Sequence, residues 1–127
     1  MNKKISVVIP CRNEKKFIRQ TLDSLLTQTL PIDDYEIIVV DGLSDDGTID
    51  ILNEYCRINL NVRLIHNEKK ITPSAMNLGI KNSAGEIIVI CGAHSFYSSD
   101  FLSSGIDLLT KYPEYGCVGG PIISEGK

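Results

Sequence analysis

Three carboxylates and a hydroxyl follow directly after the most apolar run of the sequence. Residues 37–40 form an unbroken and mostly β-branched run, and Asp41, Ser44, Asp45 and Asp46 come next, among glycines and other turn formers. Such a run is typical of a strand buried on both faces of a parallel sheet. Because open α/β sheets bind ligands at the carboxyl ends of their strands, we expect these side chains to accept hydrogen bonds from a ligand. Asp45 and Asp46 have a second interpretation, since either could simply cap the next helix.

A second polar group follows the first apolar run, residues 5–10. Pro10 closes that run, because proline cannot donate a backbone hydrogen bond to a sheet. Arg12 is permanently charged and can bind a phosphate or a carboxylate through two parallel hydrogen bonds. Glu14 could accept from a ribose hydroxyl or a base N–H, or could favour the amino end of the first helix. Together with Asp41, these residues suit a nucleotide-like ligand with hydroxyls, amides and phosphates.

The elements that must position these residues alternate along the chain. The hydrophobic periodicity predicts strands over residues 5–10, 37–40, 62–65, 86–91 and 115–119, and helices over residues 14–28, 48–58, 72–83 and 99–111. Thr72 is the expected N-cap of the third helix, with Pro73 at its first position. This alternation predicts an α/β fold, a mostly parallel open sheet with helices on both faces. Arg12, Asp41 and His94 then follow strands that end at one edge, and we expect them to share a crevice.

Bulk composition limits the function classes. The chain has 127 residues, of which 43% are hydrophobic and 23% charged, as expected for a single soluble globular domain. Its 13 basic and 16 acidic residues give a net charge of −3, which argues against a nucleic-acid partner. Four widely spaced cysteines without a Cys-x-x-Cys pair indicate core thiols in a reducing compartment. Because the amino terminus leads directly into a strand, we expect no signal peptide, no membrane span and a cytoplasmic location.

Four segments resemble family 2 inverting glycosyltransferases of the GT-A fold, in the same order and spacing. They are SVVIPCRNE at residues 6–14, EIIVVDGLSDDGT at 36–48, PSAMNLGI at 73–80 and SAGEII at 83–88. The resemblance covers nearly the whole chain and is strongest to the succinoglycan-type branch of bacterial exopolysaccharide synthesis. It implies a Rossmann-like nucleotide-sugar-binding fold and a donor nucleotide surrounded by Pro10, Arg12, Glu14, Asp41, Ser44, Asn77, Gly92 and Ala93. From its helix position alone, Asn77 could equally be a packing amide.

The resemblance also implies a reaction. A sugar, from UDP-hexose as the expected donor, would pass with inversion to a saccharide or lipid-linked acceptor in cell-surface polysaccharide synthesis. In this family the general base lies in the second half of the domain, so we expect the catalytic base beyond Lys127. Residues 1–127 are then a single donor-binding domain, part of a longer chain that could associate with the inner face of the plasma membrane. Alone, this part could bind donor and catalyse poorly, since inversion needs that base.

One departure from the family pattern concerns the metal. Family members usually end the fourth strand with Asp-x-Asp or Asp-Ala-His, whose acidic groups hold Mg²⁺ or Mn²⁺, but this sequence has Gly92-Ala93-His94. Hard divalent cations prefer carboxylate oxygen, and glycine offers no side chain. The departure argues against a metal, although His94 could still bind Mn²⁺, contact the diphosphate or be an ordinary loop residue. Asp100 is expected to be a helix cap or a surface residue rather than a substitute ligand.

Two other functions fit parts of the sequence. The glycine at position 92 is compatible with a nucleotide-sugar-binding module that has lost catalysis. A receiver domain of two-component signalling would use Asp41 as its phosphoacceptor. That function needs an acidic pair after the first strand and a lysine after the last one, where the sequence has Pro10-Cys11-Arg12-Asn13 and Gly119-Gly120-Pro121. A nucleotidyltransferase or a Rossmann dehydrogenase would need a glycine-rich phosphate loop after the first strand, which is missing.

Overall fold

The computed structural model describes residues 4–111 and 123–124. Its main sheet has four parallel strands in the order β3-β2-β1-β4, with β1 at Ile5–Cys11, β2 at Tyr35–Asp41, β3 at Val62–His66 and β4 at Ile87–Ile90. The helices are α1 at Ile18–Leu26, α2 at Thr48–Ile58, α3 at Thr72–Lys81 and α4 at Phe101–Lys111. A two-residue strand, β5 at Ser95–Phe96, pairs antiparallel with β6 at Ile123–Ser124. None of the helices in this described part is long and apolar enough to cross a membrane.

Strand β2 is buried along its whole length, and its side chains alternate between two cores. Ile37 and Val39 belong to the larger core, which also contains residues of α1, α2 and α4. Ile38 and Val40 belong to the smaller core, where Ala75 and Leu78 of α3 pack against the opposite face. The predicted α/β class, a parallel sheet with helices on both faces, is therefore confirmed.

Helix α3 lies close to β1 because one of its positions has no side chain. A Cβ atom at Gly79 would stand 2.3 Å from Cγ1 of Val8, which is too short for any real contact. Glycine at this position thus lets the helix backbone approach the sheet. The first turn of α3 begins after Ile71, which is the N-cap, so the prediction of Thr72 as N-cap is wrong by one residue.

Helix α1 is shorter than predicted. Residues 15–17 form a turn, and the amides of Phe17 and Ile18 both donate to the carbonyl oxygen of Glu14, over 3.0 and 2.9 Å. The helix begins only at Ile18, so Glu14 lies in the loop before it and not in its first turn. This loop position directs Glu14 towards the carboxyl edge of the sheet.

The outer part of the sheet also differs from the sequence prediction. Strand β4 was expected to be buried, but among the described residues it is an edge strand of the main sheet, and Ile88 and Ile90 are 38% and 42% exposed. A continuous apolar run is therefore not proof of burial on both faces. Residues 95–96 form a strand inside the expected loop over 92–99. The predicted strand over 115–119 lies outside the described residues.

A buried carboxylate ties the amino ends of the strands together. Glu36 accepts from the Ser6 hydroxyl over 2.6 Å, from the Ala84 amide over 2.8 Å and from the Arg63 guanidinium over 3.0 Å. Burial raises the pKa of Glu36, but these hydrogen bonds and the charge of Arg63 outweigh it and bring the pKa below its ordinary value. The cluster lies at the edge opposite the polar loops and fixes the connection from α3 into β4.

Candidate functional site

Asp41 ties the loop after β2 to the loop after β1. It is fully buried, and its two carboxylate oxygens accept from the hydroxyl and the amide of Ser44, over 2.6 and 2.8 Å. The Ser44 hydroxyl in turn accepts from the Asn13 amide over 2.8 Å, and the Asn13 side chain accepts from the Asp45 amide over 2.9 Å. Asp41 and Ser44 are thus brought together as predicted, and they form the framework of this edge.

Asp46 makes a second connection between the same loops. Its carboxylate accepts from the Thr48 amide over 3.0 Å, from the Thr48 hydroxyl and from the Lys15 amide over 3.3 Å. The Thr48 hydroxyl and these backbone donors lower the pKa of Asp46. The Glu14 amide also donates to the Thr48 hydroxyl, over 3.0 Å. Asp46 therefore has a structural role just before α2, but the N-cap itself is Gly47, so neither Asp45 nor Asp46 is the helix cap.

Three non-glycine residues at this edge have left-handed backbone conformations. They are Asn13, Leu43 and Lys70, with φ of 53°, 58° and 63°. Such conformations cost on the order of 1–3 kcal/mol each outside glycine and persist where surrounding contacts determine them. The hydrogen bonds of Asp41 and Asn13 supply those contacts for the first two. Strain of this kind is concentrated at ligand sites in many proteins.

A cavity of about 190 Å³ opens at the carboxyl edge of the sheet. Its lining comes from the ends of β1 and β2 and from the loop between β3 and α3, and consists of Pro10, Cys11, Arg12, Glu14, Gly42, Asn67, Lys70, Ile71, Thr72 and Ala75. The structure thus places three predicted site residues, Pro10, Arg12 and Glu14, around one space. Asp41 precedes Gly42 in the chain but is fully buried and is not part of the lining.

Half of the lining comes from a segment that the sequence did not predict to be part of the site. Asn67, Lys70, Ile71, Thr72 and Ala75 all belong to the β3–α3 loop or to the first turn of α3. The rule that ligands bind at the carboxyl ends of parallel strands could have predicted these residues, because β3 is parallel to β2 and ends at the same edge. The short charged segment at residues 66–70 carries no recognisable motif, and its two adjacent lysines are too few to predict a basic patch.

Arg12 is oriented by its neighbour across the cavity. Its Nε atom donates to the Gly42 carbonyl oxygen over 3.0 Å, and no other hydrogen bond links its guanidinium to the described residues. The two terminal nitrogens are therefore available to a ligand. Burial and the nearby Asp41 carboxylate raise the pKa of the Cys11 thiol above its ordinary value, which disfavours the nucleophilic thiolate form.

His94 contacts Glu14 and not the cavity itself. Its Nε2 atom lies 2.7 Å from Oε1 of Glu14, and its ring packs against Phe17 with a centroid distance of 4.6 Å. Burial raises the pKa of Glu14, although His94 acts in the opposite direction. The pair joins the loop after β1 to the loop after β4. Arg12, Asp41 and His94 thus lie at one edge of the sheet, with Glu14 between His94 and the cavity.

The remaining predicted residues lie outside the cavity lining. Asn77 is exposed on α3, and Gly92 is exposed with its amide directed to the Tyr97 hydroxyl over 2.9 Å. Ala93 is buried, and its carbonyl oxygen accepts from the Thr21 hydroxyl over 2.9 Å. Asp100 immediately precedes α4 and accepts from the Ser98 hydroxyl over 2.9 Å, as expected for a residue with a local role.

The side chains of the described residues are not arranged as ligands for Mg²⁺ or Mn²⁺. The oxygens of Asp41 and Asp46 accept from hydroxyls and amides of the chain, and Glu14 pairs with His94. Position 92 has no side chain, and no group of three or more histidine, cysteine, aspartate or glutamate residues is arranged for a metal within the ranges 4–111 and 123–124. These cations take several oxygen ligands, mainly carboxylates, and such a set is not assembled by the described residues.

A parallel α/β sheet with a polar cavity at its carboxyl edge is the arrangement of open α/β proteins, which bind ligands at that edge. Within that class the family is shown by sequence. Residues 6–127 match the profile described as glycosyl transferase family 2, and the chain belongs to this family. The membership replaces the receiver-domain alternative.

Relatives of this chain include enzymes of archaea and bacteria. Over 124 residues it is 36% identical to the dolichyl N-acetyl-alpha-D-glucosaminyl phosphate 3-beta-D-2,3-diacetamido-2,3-dideoxy-beta-D-glucuronosyltransferase of Methanococcus voltae. The match covers 93% of this chain but 39% of that protein, so the chain spans well under half the length of this relative.

Solved structures share the same fold. TarS of Staphylococcus aureus, residues 1–349 in complex with UDP-GlcNAc, superposes with a TM-score of 0.78 at 26% identity, covering 87% of this chain and 32% of that one. The mannosyltransferase PcManGT of Pyrobaculum calidifontis, in complex with GDP-Man and Mn²⁺, gives 0.79 at 27% identity, covering 86% and 33%. These similarities support the GT-A fold expected from the sequence.

Proposed function

We propose that this chain binds the nucleotide-sugar donor of a glycosyl transfer, in the cavity at the carboxyl edge of its sheet. The observation that carries this proposal is the convergence of Arg12, Lys70 and Glu14 on one space at the carboxyl edge of the sheet. Cations suit the diphosphate, and carboxylates suit ribose hydroxyls and base N–H groups. Family membership supplies the class of reaction.

The proposed donor is a UDP-hexose. The complex of TarS with UDP-GlcNAc supports a uridine nucleotide, whereas PcManGT was solved with GDP-Man, so the base must be tested directly. We further propose that the product is a cell-surface polysaccharide of the exopolysaccharide type, in line with the resemblance to the succinoglycan branch. A cytoplasmic location, at the inner face of the plasma membrane, is part of the same proposal.

In the proposed reaction the anomeric configuration is inverted, because an acceptor hydroxyl attacks opposite the leaving diphosphate. This chain's part is to fix the donor and to stabilise the charge that develops on the leaving group, through Arg12 and its neighbours. A general base must remove the proton of the saccharide or lipid-linked acceptor. We place that base beyond Lys127, in the longer protein of which residues 1–127 would be the donor-binding domain.

Calorimetric titration tests donor binding. UDP, UDP-glucose, UDP-GlcNAc and GDP are titrated into the wild-type chain and into Arg12→Ala, which should bind UDP about tenfold or more weakly because a charged hydrogen bond is lost. Arg57→Ala is the matched control, since Arg57 is exposed at the end of α2, remote from the cavity lining. The proposal fails if no nucleotide binds, or if both variants bind UDP as the wild type does.

A second candidate is a nucleotide-sugar-binding module without catalysis, which Gly92 favours because a carboxylate usual in the family is missing there. Release of UDP from UDP-sugars, measured with the full protein that the gene encodes and with saccharide acceptors, distinguishes the two. Turnover supports the transferase. Tight binding with no release above the uncatalysed rate supports the module.

A further inference from the structure

We propose that the donor diphosphate is held by Arg12 and Lys70, with no divalent ion between protein and phosphates. This inference rests on the proposed donor binding and specifies how the site meets the charge of its ligand. Neither residue forms an ion pair with any residue that the structure describes. Both side chains are exposed, and Glu14, the carboxylate in the same lining, is paired with His94. The two cations are therefore available to an anionic ligand.

The two cations flank a single glycine. A Cβ atom at Gly42 would lie 3.3 Å from Cδ of Arg12 and 3.3 Å from Cα of Lys70. The small residue therefore lets the loops that carry the two cations approach each other. An anion bound above Gly42 would be within reach of both side chains, since they line the same cavity of about 190 Å³.

Lys70 is held in place by the loop between β3 and α3. The amide of Asn67 donates to the carbonyl oxygen of Asp41 over 2.7 Å, and its side chain donates to the Ile71 carbonyl oxygen over 2.9 Å and accepts from Ser74 over 3.1 Å. Asn67 is only 2% exposed, so these bonds anchor the loop in the core. Lys70, with a φ of 63°, projects from an anchored turn and not from a free one.

The first turn of α3 adds to the positive electrostatic potential at the cavity. Thr72 is the first helical residue and lines the cavity. The amino end of a helix presents free amides and a partial positive charge, both of which favour phosphate groups. Arg12, Lys70 and the start of α3 therefore all lie at the cavity, although Pro73 in this first turn has no amide to donate.

A divalent ion would have to displace existing contacts. His94 is bonded to Glu14 and packed on Phe17, so its Nε2 atom is not free to coordinate. Asp41 would have to release the Ser44 hydroxyl or amide, which holds the loop. PcManGT was solved with Mn²⁺, whereas we expect no divalent ion here, and we attribute this difference to the residues at this edge.

The first experiment measures UDP affinity by calorimetry in EDTA and in excess Mn²⁺, with the heat of Mn²⁺ binding to free UDP subtracted. We expect the two dissociation constants to agree within about threefold, which is below 1 kcal/mol of difference. A larger gain with Mn²⁺ overturns the inference while leaving donor binding intact. Absence of UDP binding in both buffers instead overturns the proposed function, and the inference with it.

The second experiment compares two adjacent lysines. Lys70→Met should weaken UDP binding roughly tenfold and UMP binding less, because UMP lacks the second phosphate. Lys69→Met is the matched control, since Lys69 is exposed and outside the cavity lining. A purely structural effect of Lys70 would weaken both nucleotides alike. Equal UDP-to-UMP affinity ratios in the wild type and in both variants would overturn the role of Lys70.

Discussion

Replacement of Asp41 separates the structural and ligand-binding roles of the most buried carboxylate of the site. Asp41→Ala removes both oxygens that accept from the amide and the hydroxyl of Ser44, over 2.8 and 2.6 Å. Asp41→Asn has nearly the same shape, and its amide oxygen can still accept from the Ser44 amide. The two variants therefore differ in how much of the loop they preserve, while both remove the charge.

The magnitude follows from the two hydrogen bonds. A hydrogen bond to a charged group contributes about 1.5–3 kcal/mol net. Ser44 is half-buried, so water can replace part of what is lost, and the lower end applies. We expect Asp41→Ala to reduce the free energy of unfolding by about 3 kcal/mol and Asp41→Asn by about 1 kcal/mol. The larger value is a substantial part of the 5–15 kcal/mol typical of a domain.

Urea denaturation, followed by circular dichroism, measures these differences from the shift of the midpoint at constant slope. UDP titration of the folded variants then measures the ligand role. Because Asp41→Asn keeps the loop, a loss of about 1–3 kcal/mol in UDP binding by this variant reports a lost contact with the nucleotide. If UDP binding is weakened in Asp41→Ala but not in Asp41→Asn, the loss reports only the damaged loop.

Two results would contradict this reasoning. If Asp41→Ala unfolds at the wild-type urea concentration, the bonds to Ser44 do not stabilise the loop. If Asp41→Asn binds UDP as tightly as the wild type, Asp41 has no direct part in recognition and acts only through Ser44.

Gly79→Ala should lower the free energy of unfolding by about 1–3 kcal/mol, because the new methyl group would overlap Val8. Gly105→Ala should instead raise it by up to about 1 kcal/mol, because nothing lies within 4 Å of the added carbon and alanine favours the helix. Urea midpoints test both, and equal shifts in the two helices would contradict the close packing of α3 on β1. Glu36 has a folded-state pKa below its ordinary value of 4.5, so its stabilising contribution is present above that pH and is lost as the pH falls through the lower folded pKa. Glu36→Gln should therefore unfold more easily at neutral pH and lose less stability on acidification. Parallel pH profiles of the two proteins would show that the ionised Glu36 carboxylate does not stabilise the fold.

The sequence was sufficient where one physical rule decides the outcome. The apolar run at 37–40 is buried on both faces as expected, and α2 at Thr48–Ile58 begins and ends where its periodicity indicates. The convergence of Arg12 and Glu14 with Asp41 follows from parallel strands ending at one edge. These expectations needed no knowledge of side-chain conformation.

Other features depend on contacts that no local pattern records. The late start of α1 results from amide bonds to the carbonyl oxygen of Glu14, which a periodicity argument cannot detect. The exposure of Ile88 on β4 depends on what packs beyond an outer strand. The position of Lys70 at the cavity depends on how the β3–α3 loop turns back over Gly42.

The loops at the carboxyl edge are held mainly by one another. Bonds from Asn13 to Ser44, from Glu14 to Thr48 and from Lys15 to Asp46 each join residues more than thirty positions apart. The loop after β3 is added to them by the Asn67 bond to Asp41. A ligand that enters such a preorganised edge orders few additional groups, so less of its binding energy is spent on conformational entropy. Because the loops are bonded to one another, a change in one loop shifts the others. Nucleotide affinity and folding stability should therefore vary together across variants of this edge. Arg12 and Lys70 are the exceptions, because their charged groups project beyond the hydrogen-bond network.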